Sequence, residues 1–424
     1  LTITPTVTNS DQIPPLTETV EPTDEAAVAE LIGTAHRTCT PVYPIGGRTN
    51  QHRGTRPERP GVGLSTAKLS QLVDHAARDL TITAGAGMTV AQLARHLAAE
   101  NQRLPIDVPR ADRATLGGLV AANTSGPRRY ARGTMRDYII GFRAVDGTGM
   151  SLAGGGRVVK NAAGYDLGRL MTGSLGTLGV ITQVTLKVMP KPESSALLAC
   201  DVADYDTAER LLDGLTRTQT LPVAIELLAG PAWQNDAELS APSGIARLIV
   251  GFEGTRAETD WMVATLADRW RASGVKASLT IPHTEAGPIW DRLIDLPDQS
   301  PNSQGSTPLT VKITVLPSKT VCLIERLRRL DPGCSIAAHA GDGIIRVMLS
   351  FEPRFVAEAI ADRLRPTVTA AGGRMVVLAH PPEAALDCRA VWGPPGDCAT
   401  VMRAIKDRFD PKGILNPGRF AYES

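Results

Sequence analysis

The chain of 424 residues is too long for one ordinary hydrophobic core, so it is expected to divide into two or three domains and can bury a large ligand. Its 45 basic and 44 acidic residues leave a net charge of +1. No basic run carries interleaved aromatics, which excludes nucleic acid and a membrane-surface helix and leaves small molecules and proteins as partners.

Residues 1–20, rich in Thr and Pro, read as a loosely held tail. Its opening, LTITPTVTNSDQIPP, has neither a basic start nor an apolar stretch, and apolar segments elsewhere are short and interrupted, so a cytoplasmic location is expected. A first helix follows Thr23, with Val28, Leu31, Ile32 and Ala35 on one face. A short strand near Cys39 to Tyr43 runs into PIGGRTN at Pro44 to Asn50. Another strand, Leu80 to Ala84, precedes a helix from Thr89 whose Val90, Leu93, Ala94, Leu97 and Ala98 form one stripe. The region stays glycine-rich to about Pro192. After PKPES, Pro190 to Ser194, the composition shifts and strands alternate with amphipathic helices, which packs helices on a sheet. The strands are Leu197 to Val202, Ala246 to Phe252 and Leu309 to Val315; the helices are Asp206 to Thr216, Arg256 to Ala272 and Lys319 to Leu330. Asp295 to Pro308 is the longest loop-like run, and no internal repeat is visible. A last helix, Thr400 to Phe409, leads into DPKGILNPGRF.

The six cysteines, Cys39, Cys200, Cys322, Cys334, Cys388 and Cys398, include no C-x-x-C pair. That spacing excludes a ferredoxin-type cluster and makes reduced, mostly buried thiols the expectation.

The glycine-bearing loops invite three readings. A dinucleotide fold of the G-x-G-x-x-G type fails because residues 85–90 read GAGMTV, without the third glycine. A Walker loop fails because GGRTNQHRG has no terminal Lys-Ser or Lys-Thr. The third reading is a flavin site assembled from separated loops. Gly46 and Gly47 with Thr49 and Asn50 offer backbone amides and side-chain donors to a pyrophosphate. The stretch Pro109 to Asp137 adds Gly117, Gly118, Asn123, Ser125, Gly126 and Gly133. The segment GYDLGRLMTGSLGTLGVIT places Gly173, Gly176 and Gly179 ahead of a strand. In that strand Val180, Thr182, Val184, Leu186 and Val188 face one way, and Gln183, Thr185 and Lys187 the other. For any single loop, a plain tight turn is the alternative.

Together, PIGGRTN, TLGGLVAANTSGPRR, GRVVKNAAGYDL, GSLGTLGVIT and ILNPGRF are similar, in order and spacing, to the FAD-binding oxidoreductases of the vanillyl-alcohol oxidase type. Within that family the chain most resembles the FAD-binding E subunits of bacterial glycolate oxidase complexes. The resemblance implies an α+β fold: a two-lobed PCMH-type FAD-binding domain over 21–192 and an α/β cap domain with an antiparallel sheet over 193–398. A segment at 399–424 returns to the FAD domain. It implies that Gly46, Gly47, Arg48, Thr49 and Asn50 line the pyrophosphate, and that Pro109, Thr115, Gly117, Gly118, Asn123, Ser125 and Gly126 flank the path from adenine to isoalloxazine. Gly173, Gly176, Thr177, Gly179, Val180, Ile181 and Asn416 complete the site. Some relatives attach FAD through a histidine directly after the first glycine pair; this chain has Arg48 there and His52 only nearby, so non-covalent FAD is expected.

Oxidising a 2-hydroxy acid takes a base for the hydroxyl proton, a path for hydride from Cα to the flavin, and a cation for the carboxylate. Catalytic members of the family carry H-x-G-D-G-N-x-H and a later Glu-His pair, which together bind a divalent metal. Residues 339–346 here read HAGDGIIR. His339, Gly341, Asp342 and Gly343 remain, but Ile344 and Arg346 replace the Asn and the second His, and Ala379 with His380 replaces Glu-His. With two ligands missing, no metal is expected. The resemblance puts Lys312 at a carboxylate-binding position; a strand-edge lysine in water is the alternative. Arg346 is a positive charge for a substrate or a partner, or a solvated arginine, and His339 and His380 are the candidate bases. Leu175 stands where catalytic relatives commonly have Glu, and it can neither accept a hydrogen bond nor titrate.

These features read as the FAD-binding subunit of a glycolate (2-hydroxy acid) dehydrogenase complex that oxidises glycolate to glyoxylate. The resemblance implies a sister FAD-linked catalytic subunit and an iron–sulfur subunit, with a membrane reached only through them. The alternatives are a self-sufficient, metal-independent FAD dehydrogenase of another 2-hydroxy acid, and a structural subunit that keeps the flavin fold without redox chemistry.

Overall fold

The computed structural model describes residues 14–156, 166–277, 279–281, 286–295 and 308–421. Residues 1–13 of the expected tail, most of GRVVKNAAGYDL and most of the Asp295 to Pro308 run lie outside the described residues. The chain forms two compact units: Leu1–Ser125, Thr134–Lys191 and Leu386–Ser424 make the first, Gly126–Gly133 and Pro192–Ala385 the second. The excursion of Gly126–Gly133 into the second unit has no compositional signal, and the returning C-terminal part starts at Leu386, earlier than residue 399.

In the first unit, β1 (Leu16–Val20), β2 (Val42–Ile45) and β3 (Gly61–Ser65) form a parallel sheet in the order β1-β3-β2. The end of the expected tail is therefore a strand. Its composition misleads because an edge strand keeps one side in water and accepts Thr and Glu there. The helix Glu25–Thr38 is capped by Asp24, whose carboxylate accepts from the Ala27 amide at 2.8 Å. It buries Val28, Ile32 and Ala35 in one cluster with Val42 and Leu64. At β2 the chain's end extends the sheet: the Val42 amide donates to Ile414 at 2.8 Å, and the Asn416 amide to Val42 at 2.9 Å.

The unit's second sheet is antiparallel. It contains β4 (Leu72–Ala76), β5 (Thr81–Gly85), β7 (Ile139–Val145), β8 (Ser151–Gly155) and β9 (Val180–Lys187), ordered β4-β5-β9-β7-β8; β6 (Gln102–Arg103) pairs apart with β10 (Met189–Pro190). As the central strand, β9 is buried on both faces, so Ile181 and Thr185 are covered as well as the expected valines. Thr185 meets Thr83 hydroxyl to hydroxyl at 3.0 Å, which satisfies both inside the sheet layer. The helix Val90–Ala98 starts at a Thr89–Gln92 capping box and buries Val90, Leu93 and Leu97.

The helix Ala399–Phe409 buries one charge, Lys406. Its Nζ donates to the carbonyl of Thr177 at 2.8 Å, to Asp410 Oδ2 at 2.6 Å and to the carbonyl of Leu415 at 3.3 Å. Asp410 in turn accepts from the amides of Ile414 and Leu415 at 3.0 and 2.8 Å. Every strong donor and acceptor of this buried pair is thereby used, which is the condition under which burying two charges is tolerable.

Among the described residues the second unit holds one eight-stranded antiparallel sheet. Its strands are β11 (Ser194–Val202), β12 (Ala224–Ala229), β13 (Ala246–Gly254), β14 (Leu279–Ile281), β15 (Leu309–Thr314), β16 (Ser335–His339), β17 (Ile344–Leu349) and β18 (Arg374–Ala379). They run in the order β14-β11-β13-β12-β16-β17-β15-β18. Successive residues of β11 point to opposite faces. Ser194 hydrogen-bonds Thr259 of the helix Arg256–Ala272, and Ser195 accepts from the indole of Trp290 in the helix Ala286–Asp295, so both faces carry helices. Gly251 leaves the space that Trp290 fills; a Cβ there would stand 2.3 Å from the ring.

All six cysteines are free, with Cys200 and Cys334 buried but Cys39 and Cys398 exposed. Burial pushes the Cys200 thiol up to about 12 and that of Cys334 to about 11, which keeps them protonated and inert. Among the described residues no helix is long and apolar enough to cross a membrane.

Replacing Lys406 by Met leaves Asp410 buried without its countercharge and is expected to lower stability by about 3–5 kcal/mol. Urea denaturation measures the loss, and a Lys406→Met/Asp410→Leu double variant should lose less than the single one.

Candidate functional site

The first unit carries a cleft lined by loops and helix ends. Its walls come from the loop after β2, the start of the helix Leu116–Ala122, the loop before β9, and the C-terminal segment. Of the expected FAD contacts, Gly46, Gly47, Arg48, Thr49, Asn50, Thr115, Gly117, Gly118, Gly176, Gly179, Val180, Ile181 and Asn416 line it. Pro109, Asn123, Ser125, Gly173 and Thr177 are not among the lining residues. Thr177 is 2% exposed and works inside its loop, accepting Lys406 on its carbonyl and donating to Ser174. Gly126 belongs to the second unit.

Close backbone approach builds the first wall. A Cβ on Gly47 would lie 1.7 Å from the carbonyl oxygen of Arg113, and one on Gly46 2.2 Å from Thr115 Oγ1, so only glycine fits at either place. The loop before β9 has Gly173, Leu175 and Gly176 at φ 87°, 53° and 72°. Leu175 is held in this strained conformation from both sides: its amide donates to Ala121 at 2.8 Å, and its carbonyl accepts from Asn416 Nδ2 at 2.6 Å. Arg48, Arg110, Asn123 and Asn416 are also left-handed, at φ 58°, 53°, 46° and 46°.

Arg53 and Arg419 line the cleft as well, and sequence reasoning assigned neither. Arg419, 4% exposed, donates to Thr55 at 2.8 Å and to the carbonyl of Gln51, pinning the far end of the first loop. Arg53 donates to Ala122 at 3.3 Å. The only sequence signal for Arg419 was its place inside ILNPGRF.

FAD fits this cleft on the structure's own terms. Buried Asn123 Oδ1 and Ser174 Oγ, each next in the chain to a lining residue, have no hydrogen-bond partner among the described residues, which calls for a polar ligand. Gly46, Gly47, Thr49 and Asn50 would hold the pyrophosphate, and the loop through Gly176 and Asn416 would border the ring system.

The second unit carries the remaining candidates, and all but His380 share one sheet face. Glu226 of β12 pairs directly with His339 of β16, and Ala337 of β16 with Arg346 of β17, which in turn pairs with Lys312 of β15. Directly paired residues share a face, so Glu226, His339, Arg346 and Lys312 lie on the same side. His339 Nδ1 is 2.8 and 2.9 Å from the two Glu226 oxygens, and both residues are buried, at 3% and 2% exposure. Glu226 was missed in the sequence, where it is the lone charge in AIELLA. Lys312 and Arg346 are half-buried, and Lys312 stands in an inner strand between β17 and β18 rather than at a sheet edge. His380 follows β18 and sits against the Pro381 carbonyl, Nδ1 at 2.9 Å. Three strand spacings, about 14 Å, separate β16 from β18, so the two candidate bases do not act together.

The Gly126–Gly133 excursion packs beside this face. Arg128 and Arg132 bracket buried Glu253 at 2.8 and 3.1 Å, Arg128 stacks 4.0 Å over Trp290, and Arg129 stands 3.7 Å from Asp342. Burial pushes the Asp342 carboxyl up, opposed by Arg129 and His339. These surroundings do not fit a divalent metal: Arg346 and Arg129 bring positive charge, and among the described residues no three His, Cys, Asp or Glu side chains gather to hold one.

The two-unit α+β architecture, with its loop-lined cleft, is that of a flavoprotein with a PCMH-type FAD-binding domain. A model of the FAD binding domain matches residues 17–153, and a model of the FAD linked oxidases, C-terminal domain, matches 191–376 and 395–420. The chain belongs to the FAD-linked oxidases. It is 26% identical over 422 residues to glycolate oxidase subunit GlcD of Bacillus subtilis (strain 168), covering 94% of this chain and 87% of that one. It is 28% identical to D-lactate dehydrogenase of Archaeoglobus fulgidus over 433 residues, 96% and 94% of the two chains. Glycolate oxidase subunit GlcE of Escherichia coli (strain K12) is 38% identical over 154 residues, 36% of this chain and 43% of that one. Among solved structures, p-cresol methylhydroxylase superposes with a TM-score of 0.70 at 18% identity, covering 95% and 88% of the two chains, which shows the shared fold. The protein is an FAD-dependent oxidoreductase.

Replacing Gly47 by Ala is expected to abolish FAD retention, read as loss of visible flavin absorbance in the purified chain while far-UV circular dichroism is kept. With Arg48 in place of an attachment histidine, acid precipitation of the wild type should release all of the flavin into the supernatant.

Proposed function

We propose that the chain oxidises a small 2-hydroxy acid, glycolate to glyoxylate, as the FAD-binding subunit of a glycolate dehydrogenase complex, without a metal. The observation that carries this reading is the row on the second unit's sheet, where a carboxylate-held histidine shares a face with two cations. Lys312 and Arg346 stand directly opposite one another, two side chains of the kind that bind a carboxylate. His339 is the candidate base for the hydroxyl proton. Bound FAD supplies the acceptor for the hydride leaving Cα. The likeness to glycolate oxidase subunits supports the substrate class and a complex of several subunits. In this proposal the partners are a sister FAD-linked subunit and an iron–sulfur subunit, with the membrane reached through them. The full-length likeness to D-lactate dehydrogenases favours a second reading, a self-sufficient enzyme for another 2-hydroxy acid.

Anaerobic mixing tests both. Glycolate is expected to bleach the flavin, alone or with the partner subunits, and the rate should not change with a chelator present. Faster bleaching by D-lactate in the isolated chain would favour the second reading, and no bleaching by either acid under any condition would sink both. Lys312→Met and Arg346→Met should each raise KM about 10- to 100-fold, the worth of one charged hydrogen bond.

A further inference from the structure

We infer that Glu226 is the positioning residue of this site: set opposite His339 by the pairing of β12 with β16, it holds the imidazole hydrogen on Nδ1 and turns the Nε2 lone pair to the hydroxyl of the 2-hydroxy acid. The inference rests on the hydroxy-acid reading above. Its geometry is direct, since both carboxylate oxygens lie within 2.9 Å of Nδ1 and none of the three atoms is on a mobile loop end but on paired strands. An ionised carboxylate can only accept, so the hydrogen between them sits on the ring nitrogen. Arg346, diagonal to His339 across β16 and β17, and Lys312 beyond it place two positive charges on the same face. A neutral ring with hydrogen on Nδ1 has its lone pair at Nε2, the form a general base needs.

The same argument selects His339 over His380. His380 follows β18, three strand spacings from β16, with Nδ1 2.9 Å from the carbonyl of the next residue in the chain. It also explains why a charged residue persists in the apolar run of β12. A carboxylate 2% exposed in a strand whose other members are all apolar is costly to bury and is made tolerable by its hydrogen-bonded partner.

In the step this residue supports, the substrate O–H bond breaks and its proton forms an N–H bond at His339 Nε2. Bound FAD would supply the two-electron acceptor for the Cα hydrogen, and the electron pair left on oxygen would close the C=O bond of the 2-oxo acid. Glu226 holds the ring through Nδ1 throughout.

The test uses the full FAD-loaded chain labelled with 15N-histidine, compared as wild type, Glu226→Gln, Glu226→Leu and His339→Gln. Nitrogen chemical shifts of the free protein should show hydrogen on Nδ1 of His339 and a bare Nε2. Glu226→Gln keeps an acceptor oxygen and should retain that tautomer, whereas Glu226→Leu should lose it. Anaerobic flavin reduction by glycolate or D-lactate should fall about 10²-fold or more in His339→Gln and Glu226→Leu, with Glu226→Gln recovering a substantial part of the rate. If the wild-type ring carries its hydrogen on Nε2, or if Glu226→Leu shifts the tautomer without slowing reduction, the assignment of Glu226 is overturned while the function stands. If the wild-type flavin is not reduced by either acid, the hydroxy-acid reading falls, and the inference falls with it. Glu226→Gln keeps the test decisive should the leucine variant fail to fold, because a tautomer preserved alongside a rate as low as that of His339→Gln would also contradict a positioning role.

Discussion

The buried pair of Lys406 and Asp410 is the contact on which the cofactor cleft most depends. One ammonium group reaches the carbonyls of Thr177 and Leu415, and one carboxylate takes the amides of Ile414 and Leu415. The pair thus joins the loop before β9 to the C-terminal segment. That segment in turn extends the parallel sheet at Val42, the strand leading into Gly46 and Gly47. Three loops far apart in sequence are held in one arrangement by a handful of polar contacts shielded from water, where each is electrostatically stronger than on the surface.

This support allows the cleft to carry backbone strain. Non-glycine residues in the left-handed region cost of order 1 kcal/mol each, yet Arg48, Leu175 and Asn416 adopt it while lining the same space. Leu175 is the clearest case, because its amide and carbonyl are both fixed by neighbours that themselves border the cleft.

The second unit solves a different problem with sheet register. Cross-strand pairing brings Glu226 to His339 and Arg346 to Lys312, so that charges from four strands collect on one face. The same register explains why a metal does not fit, since Arg346 and the nearby Arg129 put positive charge where a divalent ion would need ligands. The excursion Gly126–Gly133 contributes here through Glu253 and Trp290, and Tyr130 packs on Gly341, where a Cβ would lie 2.5 Å from the ring.

Much of this was legible in the residues. The helix Arg256–Ala272 and the strands from Leu197, Ala246 and Leu309 could be read from periodicity, because burying one stripe or one face leaves a repeating mark on the chain. The glycine loops and the altered HAGDGIIR box were visible because close approach and metal binding each demand particular residue types at particular spacing. Other features leave no local mark. The strand at Leu16–Val20 looks like a polar tail since its partner supplies the order, and the excursion at Gly126–Gly133 is defined only by what it packs against. Arg53, Arg419 and Glu226 are ordinary charged residues until distant carbonyls or an imidazole stand beside them. The sequence by itself determined the family resemblance, the alternation of elements and the loss of metal ligands, all of which depend on residue type and short-range spacing. Only the tertiary structure decided which charges face one another, because register and long-range closure join residues more than a hundred positions apart through contacts that no local pattern encodes.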